Sequence, residues 1–214
     1  MLSNFAAVDL QAMPSLARGE ARIQGAPCVI ATPASLKGFG HVVRDYAKAS
    51  VTTVPWLQQG WRYIVSGTGN EGGVVEDSFV MERRGRSYIT GWHADPATAA
   101  EDRGAADTSR IYTHVANYHS VGSQIFCPRD GAAFIALLAR PVDDVKPEDF
   151  VAFYCDGTFG IHIDPNVWHQ PVFPLSSSAL FDDRQGRVHA CVAIDFVSEL
   201  GCYLEVPLSA PRPS

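Results

Sequence analysis

Apolar positions along this chain fall in short runs that alternate with polar ones, a period of two rather than of three to four. Cys28-Val29-Ile30-Ala31-Thr32 opens the series, and Val42-Val43, Val51 to Val54 and Trp61-Arg62-Tyr63-Ile64-Val65 continue it. From Arg110 the runs crowd together: Ile111 to His119, Ser123 to Phe126, Ala132 to Ala139, Val151 to Tyr154, Gly160 to Ile163, Val167 to Phe173, Val188 to Val197 and Cys202 to Val206. Gly, Pro and Asp fill the connections. This pattern predicts an all-β chain, a sandwich or barrel, and excludes the regular strand–helix alternation of doubly wound folds. Helical signals are few. Pro33 to Gly40 suits one turn capped by Thr32, and Asp95 to Glu101 suits a short capped helix. Residues 1–27 are broken by Pro14, Gly19, Gly25 and Pro27. They are read as an N-terminal arm, with a short helix near Leu10 to Ala17, ahead of a single domain over 28–214.

Composition narrows the class. Of 214 residues, 46% are hydrophobic and 19% charged, enough apolar material for a substantial core. The net charge of −6, with no basic run longer than Arg83-Arg84, argues against a nucleic-acid partner. No stretch approaches the roughly 20 apolar residues of a membrane span. The first residues lack the basic-then-apolar pattern of a secretory signal, so a cytoplasmic protein is expected. Five scattered cysteines without a Cys-x-x-Cys pair are expected to be buried reduced thiols. Gly67-Thr68-Gly69-Asn70-Glu71-Gly72 spells a dinucleotide-binding motif, but strand-forming residues follow it where a helix would be needed. It is read as a hairpin loop.

The candidate chemistry gathers around two imidazoles. On a strand from Ile111 to His119, Ile111, Thr113, Val115, Asn117 and His119 share one face. Gly122 then turns the chain and Gln124 starts the return. The second run is Val167-Trp168-His169-Gln170-Pro171. The spacing Asn117-x-His119-x4-Gln124-x6-Gly131 follows the intervals of the first cupin motif, with Asn and Gln in place of a His and a Glu. His169 fits the place of that motif's distant histidine.

Read together, these runs resemble the ureidoglycolate lyase (ureidoglycolate hydrolase) family, a cupin-like group. The resemblance rests on His119-x-x-Gly122-Ser123-Gln124-x-Phe126-x-Pro128, on Phe153 to Gly160, and on Asn166-Val167-Trp168-His169-x-Pro171. Val192-Ala193-Ile194-Asp195, Leu204-Glu205-Val206 and the opening Thr32-Pro33 to Val43 add to it, so it spans roughly residues 28 to 208. This chain departs from the family in five places. Ile163-Asp164 stand where the family has Tyr-His, and Gln170 replaces a His. Phe196-Val197 replace Arg-Gly, which removes a cation. An insertion near Gly67 to Gly73 and a longer stretch from 82 to 110 complete the differences.

The resemblance implies a cupin-like β-barrel or jelly roll with one or two short helices. It also implies a homodimer, and cleavage of ureidoglycolate to glyoxylate and urea in allantoin and purine breakdown. Such a reaction needs a base for the hydroxyl proton and an acid for the leaving nitrogen, which histidine can supply. His119, His169 and Gln124 are the catalytic candidates. Arg62, Asn117 and Trp168 are assigned to the substrate, Arg62 as the partner of its carboxylate, with Arg129 the other cation weighed. No cofactor is required by these residues. A divalent metal stays open, with His119, Gln124 and His169 as its ligands. Two other readings stand beside the lyase: a metal-dependent cupin-like enzyme on another small organic acid, and a non-catalytic small-molecule-binding barrel.

The remaining polar residues have plainer expectations. His93, His114 and His189 are expected at the surface or satisfied in the core, and His162 is the histidine to watch because it lies near His169 in sequence. Trp168 suits a core aromatic as well as a stacking platform. Asp143-Asp144 and Asp182-Asp183 are expected in solvated turns. No Gly-x-Ser-x-Gly elbow supports a serine nucleophile.

Overall fold

A computed structural model describes residues 20–51, 75–82, 89–90, 109–120, 122–142, 144–170, 172–176, 178–185 and 191–212. The expected helices near 10–17 and 95–101, the strand at 61–65, the loop at 67–72, and Arg62, His93 and His189 lie outside these residues.

In chain order the strands begin with β1 (Arg22–Gly25), β2 (Cys28–Ile30), β3 (Gly40–Val43), β4 (Val75–Glu82), β5 (Ile89–Thr90), β6 (Arg110–Thr113), β7 (Val115–His119) and β8 (Gln124–Pro128). They continue with β9 (Phe134–Ala139), β10 (Val151–Cys155), β11 (Gly160–Ile163), β12 (Trp168–His169), β13 (Phe173–Pro174), β14 (Ser178–Gln185), β15 (Cys191–Asp195) and β16 (Cys202–Pro207). Among the described residues one short α-helix, α1 (Phe196–Leu200), lies between the last two strands. The described chain is all-β, as its alternation predicts.

Three sheets form. The first is four-stranded in the order β1-β16-β6-β5; the middle one is seven-stranded, β15-β7-β12-β9-β10-β2 with β13 also on β9; the third is five-stranded, β3-β11-β8-β14-β4. Strand alternation sends the middle sheet's side chains to both sides. Tyr118, Leu137, Trp168 and Ile194 meet Ile111, Leu204 and Val206 of the first sheet. Phe134, Ala136, Leu138 and Phe153 meet Phe126, Ile161, Ile163 and Phe181 of the third. Each fully buried Leu, Ile or Phe contributes roughly 1.5–3 kcal/mol of burial, so these two layers hold the sheets together. Cys28, Cys127, Cys155 and Cys202 are free thiols.

Several local expectations change. The run from Ile111 to His119 is not one strand: the chain leaves the first sheet after Thr113 and enters the middle sheet at Val115. The break falls at buried His114, whose carbonyl accepts from the Phe196 amide and whose Nδ1 lies 3.2 Å from Asp195 Oδ1. Arg22–Gly25, inside the stretch expected to be an arm, pairs in parallel with β16. Asp182 and Asp183 are not in a turn but within β14. The run expected from Val188 to Val197 ends earlier, because Asp195 caps α1 through the amides of Val197 and Ser198, and Gly201 closes the helix at φ 59°.

Candidate functional site

Alternation sets which residues share the space between the middle and third sheets. On β7, Tyr118 packs toward the first sheet, so Asn117 and His119 face the third. On β12, Trp168 takes the first-sheet side and His169 the other, with His169 paired directly opposite Asn117. On β8, Gln124 shares the inner face with Phe126; on β14, Asp183 and Gln185 share it with Phe181. A polar group therefore interrupts the second core. Asn117, His119, Gln124 and His169 are each 8% exposed or less.

The two imidazoles meet edge to face, with centroids 4.9 Å apart and planes at 86°. The loop before β12 fixes their spacing. Asn166 adopts φ 66°, and its amide donates to the His119 carbonyl at 2.9 Å. His169 Nδ1 donates to the Val167 carbonyl at 2.7 Å, which places the proton of a neutral ring on Nδ1 and a lone pair on Nε2. That lone pair faces Gln124 Oε1 at 3.3 Å. Gln124 is held in this orientation because its amide nitrogen donates to both carboxylate oxygens of Asp183, each at 3.0 Å. Two acceptors thus face each other across 3.3 Å. His119 Nε2 lies 3.3 Å from the Asn117 amide nitrogen and 3.1 Å from that of Gln185, which is also 3.3 Å from His119 Nδ1. Asn117 Oδ1 is buried without a hydrogen-bond partner, a third acceptor in the same group.

Burial pushes the His169 pKa down to about 4, against the opposing effect of its bond to Val167. Burial also holds His119 well below the ordinary imidazole value, and the charge of a protonated His169 would lower it further. Both rings are neutral near pH 7.

The sequence candidates divide accordingly. His119, Gln124, His169 and Asn117 come together. Trp168 does not join them: it is fully buried on the opposite face of the middle sheet, 4.7 Å from Tyr118 between ring centroids, with its indole N–H donating to Val142 O. Arg129 is paired with Asp182. Asp183 and Gln185 were missed. Their signal was the alternation Ala179, Phe181, Asp183, Gln185, which places them on one face of a strand.

The profile of the ureidoglycolate lyase family matches residues 27–196. The chain belongs to this family. Among named relatives, the ureidoglycolate lyase of Azotobacter vinelandii is 36% identical over 75 residues, 34% of this chain and 45% of the relative. The ureidoglycolate lyase of Salmonella enteritidis PT4 is 38% identical over 63 residues, 29% of this chain and 39% of the relative. This chain thus spans less than half the length of the curated relatives it matches.

The departures from the ureidoglycolate lyase pattern have local explanations. Gln170 is buried and exchanges hydrogen bonds with the Thr113 hydroxyl, at 2.6 and 2.8 Å. Phe196 packs edge-on against Phe150, with centroids 5.4 Å apart, and opens α1. Neither residue lies in the group around His119 and His169. No helix among the described residues is long and apolar enough to cross a membrane.

Proposed function

We propose that the protein is a ureidoglycolate lyase, with the His119–His169 group as its active site. The observation that carries this reading is the pair of buried imidazoles, His119 and His169, with an excess of buried acceptors in the same polar group: His169 Nε2, Gln124 Oε1 and Asn117 Oδ1. Ureidoglycolate brings the matching donors, one hydroxyl and the N–H groups of its urea. Buried acceptors left without donors are costly, so a ligand that satisfies them binds with selectivity.

The reaction moves one proton from oxygen to nitrogen. His169 Nε2 takes the hydroxyl proton, the O–H electrons form the carbonyl of glyoxylate, and the C–N pair leaves with the urea nitrogen. Burial destabilises the imidazolium, so His169 gives the proton up readily to the departing nitrogen. Gln124 Oε1, oriented by Asp183, accepts a hydrogen bond from substrate beside the base. His119, set edge to face against His169, is assigned to the urea group. Arg62 is assigned to the substrate carboxylate, because a bidentate guanidinium suits it.

A divalent ion suits this donor set poorly. Beside the two imidazoles the set offers only the neutral amide oxygens of Gln124 and Asn117, and the Asn117 and Gln185 amides already lie against His119 Nε2. No step is routed through a metal. A cytoplasmic homodimer acting in allantoin breakdown is the wider expectation that the family supports.

Variants test the assignment. His169→Ala should lower kcat by about a hundredfold or more with the fold intact, since general acid–base groups contribute on this scale. Near-normal turnover in that variant would remove His169 from the mechanism.

A further inference from the structure

The opposite face of the third sheet carries a second histidine cluster. Ile161 and Ile163 of β11 point into the second core, so His162 and Asp164 point outward, away from His119 and His169. His41 of β3 is the direct cross-strand partner of His162. The two rings stack with centroids 4.3 Å apart at 21°. Gly40 makes the approach possible. It adopts φ 152°, and a Cβ there would lie 1.8 Å from the His162 carbonyl oxygen.

One ligand atom from each of His41, His162 and Asp164 lies within 4.8 Å of the others. His162 is 2% exposed, yet its Nδ1 has no hydrogen-bond partner. Asp164 Oδ1 is 3.3 Å away. That separation is what two ligands around one tetrahedral ion show, given bonds of roughly 2.0–2.1 Å. His41 is exposed and can swing its ring to converge, while Asp164 is half exposed and leaves open positions for water.

We propose that His41, His162 and Asp164 form a binding site for a divalent transition metal of the zinc class, separate from the His119–His169 group. Two imidazoles and one carboxylate are the ligand types such ions prefer. A bound ion would clip β3 to β11.

Titration of the metal-stripped protein with Co2+, followed by visible absorption and by competition with Zn2+, tests the site. The expected result is one equivalent bound by the wild type. His41→Ala and Asp164→Asn should each weaken binding by about tenfold or more. His169→Ala should retain the ion, and His41→Ala should keep wild-type turnover of ureidoglycolate. Absence of binding at millimolar Co2+ would overturn the proposal. So would binding that survives in His41→Ala and Asp164→Asn but is lost in His169→Ala.

Discussion

At the scale of single residues, the candidate site depends on which atoms hold protons. Asp183 fixes the Gln124 amide, and the Val167 carbonyl fixes the His169 tautomer. Asp183→Asn removes that carboxylate and frees Gln124 to turn over. The expected outcome is a fall in kcat of about tenfold with KM little changed, as for other residues that orient a reacting group. Steady-state kinetics beside a melting curve distinguishes this from unfolding. The depressed histidine pKa values also make a stability prediction. A folded-state pKa of about 4 for His169 lies below the unfolded value near 6.5, so the unfolded chain binds the proton first as pH falls. Stability should therefore decline from about pH 6.5 to about pH 4. His169 alone contributes on the order of 3 kcal/mol and His119 acts in the same direction. Urea denaturation across that range should show a shallower decline in His169→Phe; an unchanged slope would contradict the buried-neutral assignment. His119, Gln124 and His169 were legible because their spacing survives in sequence. Asp183 was not, since an Asp-Asp pair ordinarily marks a solvated turn and its hydrogen bond reaches 59 residues away.

At the scale of elements, strands were legible wherever alternation coincided with apolar side chains, as on β9 and β10. They were misread where the inward positions are polar. On β14, the inward Asp183 and Gln185 disguise the strand, because the site itself replaces the hydrophobic half of the pattern. His114 shows the opposite failure. Alternation runs through it unbroken, while the chain changes sheets, held by a contact to Asp195 at 81 residues' distance. Asp195 is caught between these roles: half-burial raises its pKa, but the His114 bond and the amides of α1 outweigh this and hold it at about 2. Trp168 tests the assignment of faces. Trp168→Ala should cost about 3–5 kcal/mol of stability, the usual result for a fully buried aromatic. Trp168→Phe should destabilise less and leave KM for ureidoglycolate unchanged. A large rise in KM with unchanged stability would place the indole against substrate instead.

At the scale of the whole molecule, the middle sheet is the frame. One face builds a core with the first sheet, and the other builds a core with the third and carries the histidine pair. The all-β class and the family could be read from the sequence, because strand period and two spaced motifs are local properties. The sheet order could not, since it depends on pairings such as β1 on β16 that join distant ends of the chain. The proposed lyase activity rests on this frame, which would present buried acceptors to the donors of ureidoglycolate. It is tested most directly by following glyoxylate and urea together as the purified protein meets ureidoglycolate, with and without chelator. Equal amounts of both products are expected above the spontaneous rate, undiminished by chelator and lost in His169→Ala. Release at the spontaneous rate only, or ammonia in place of urea, would contradict it.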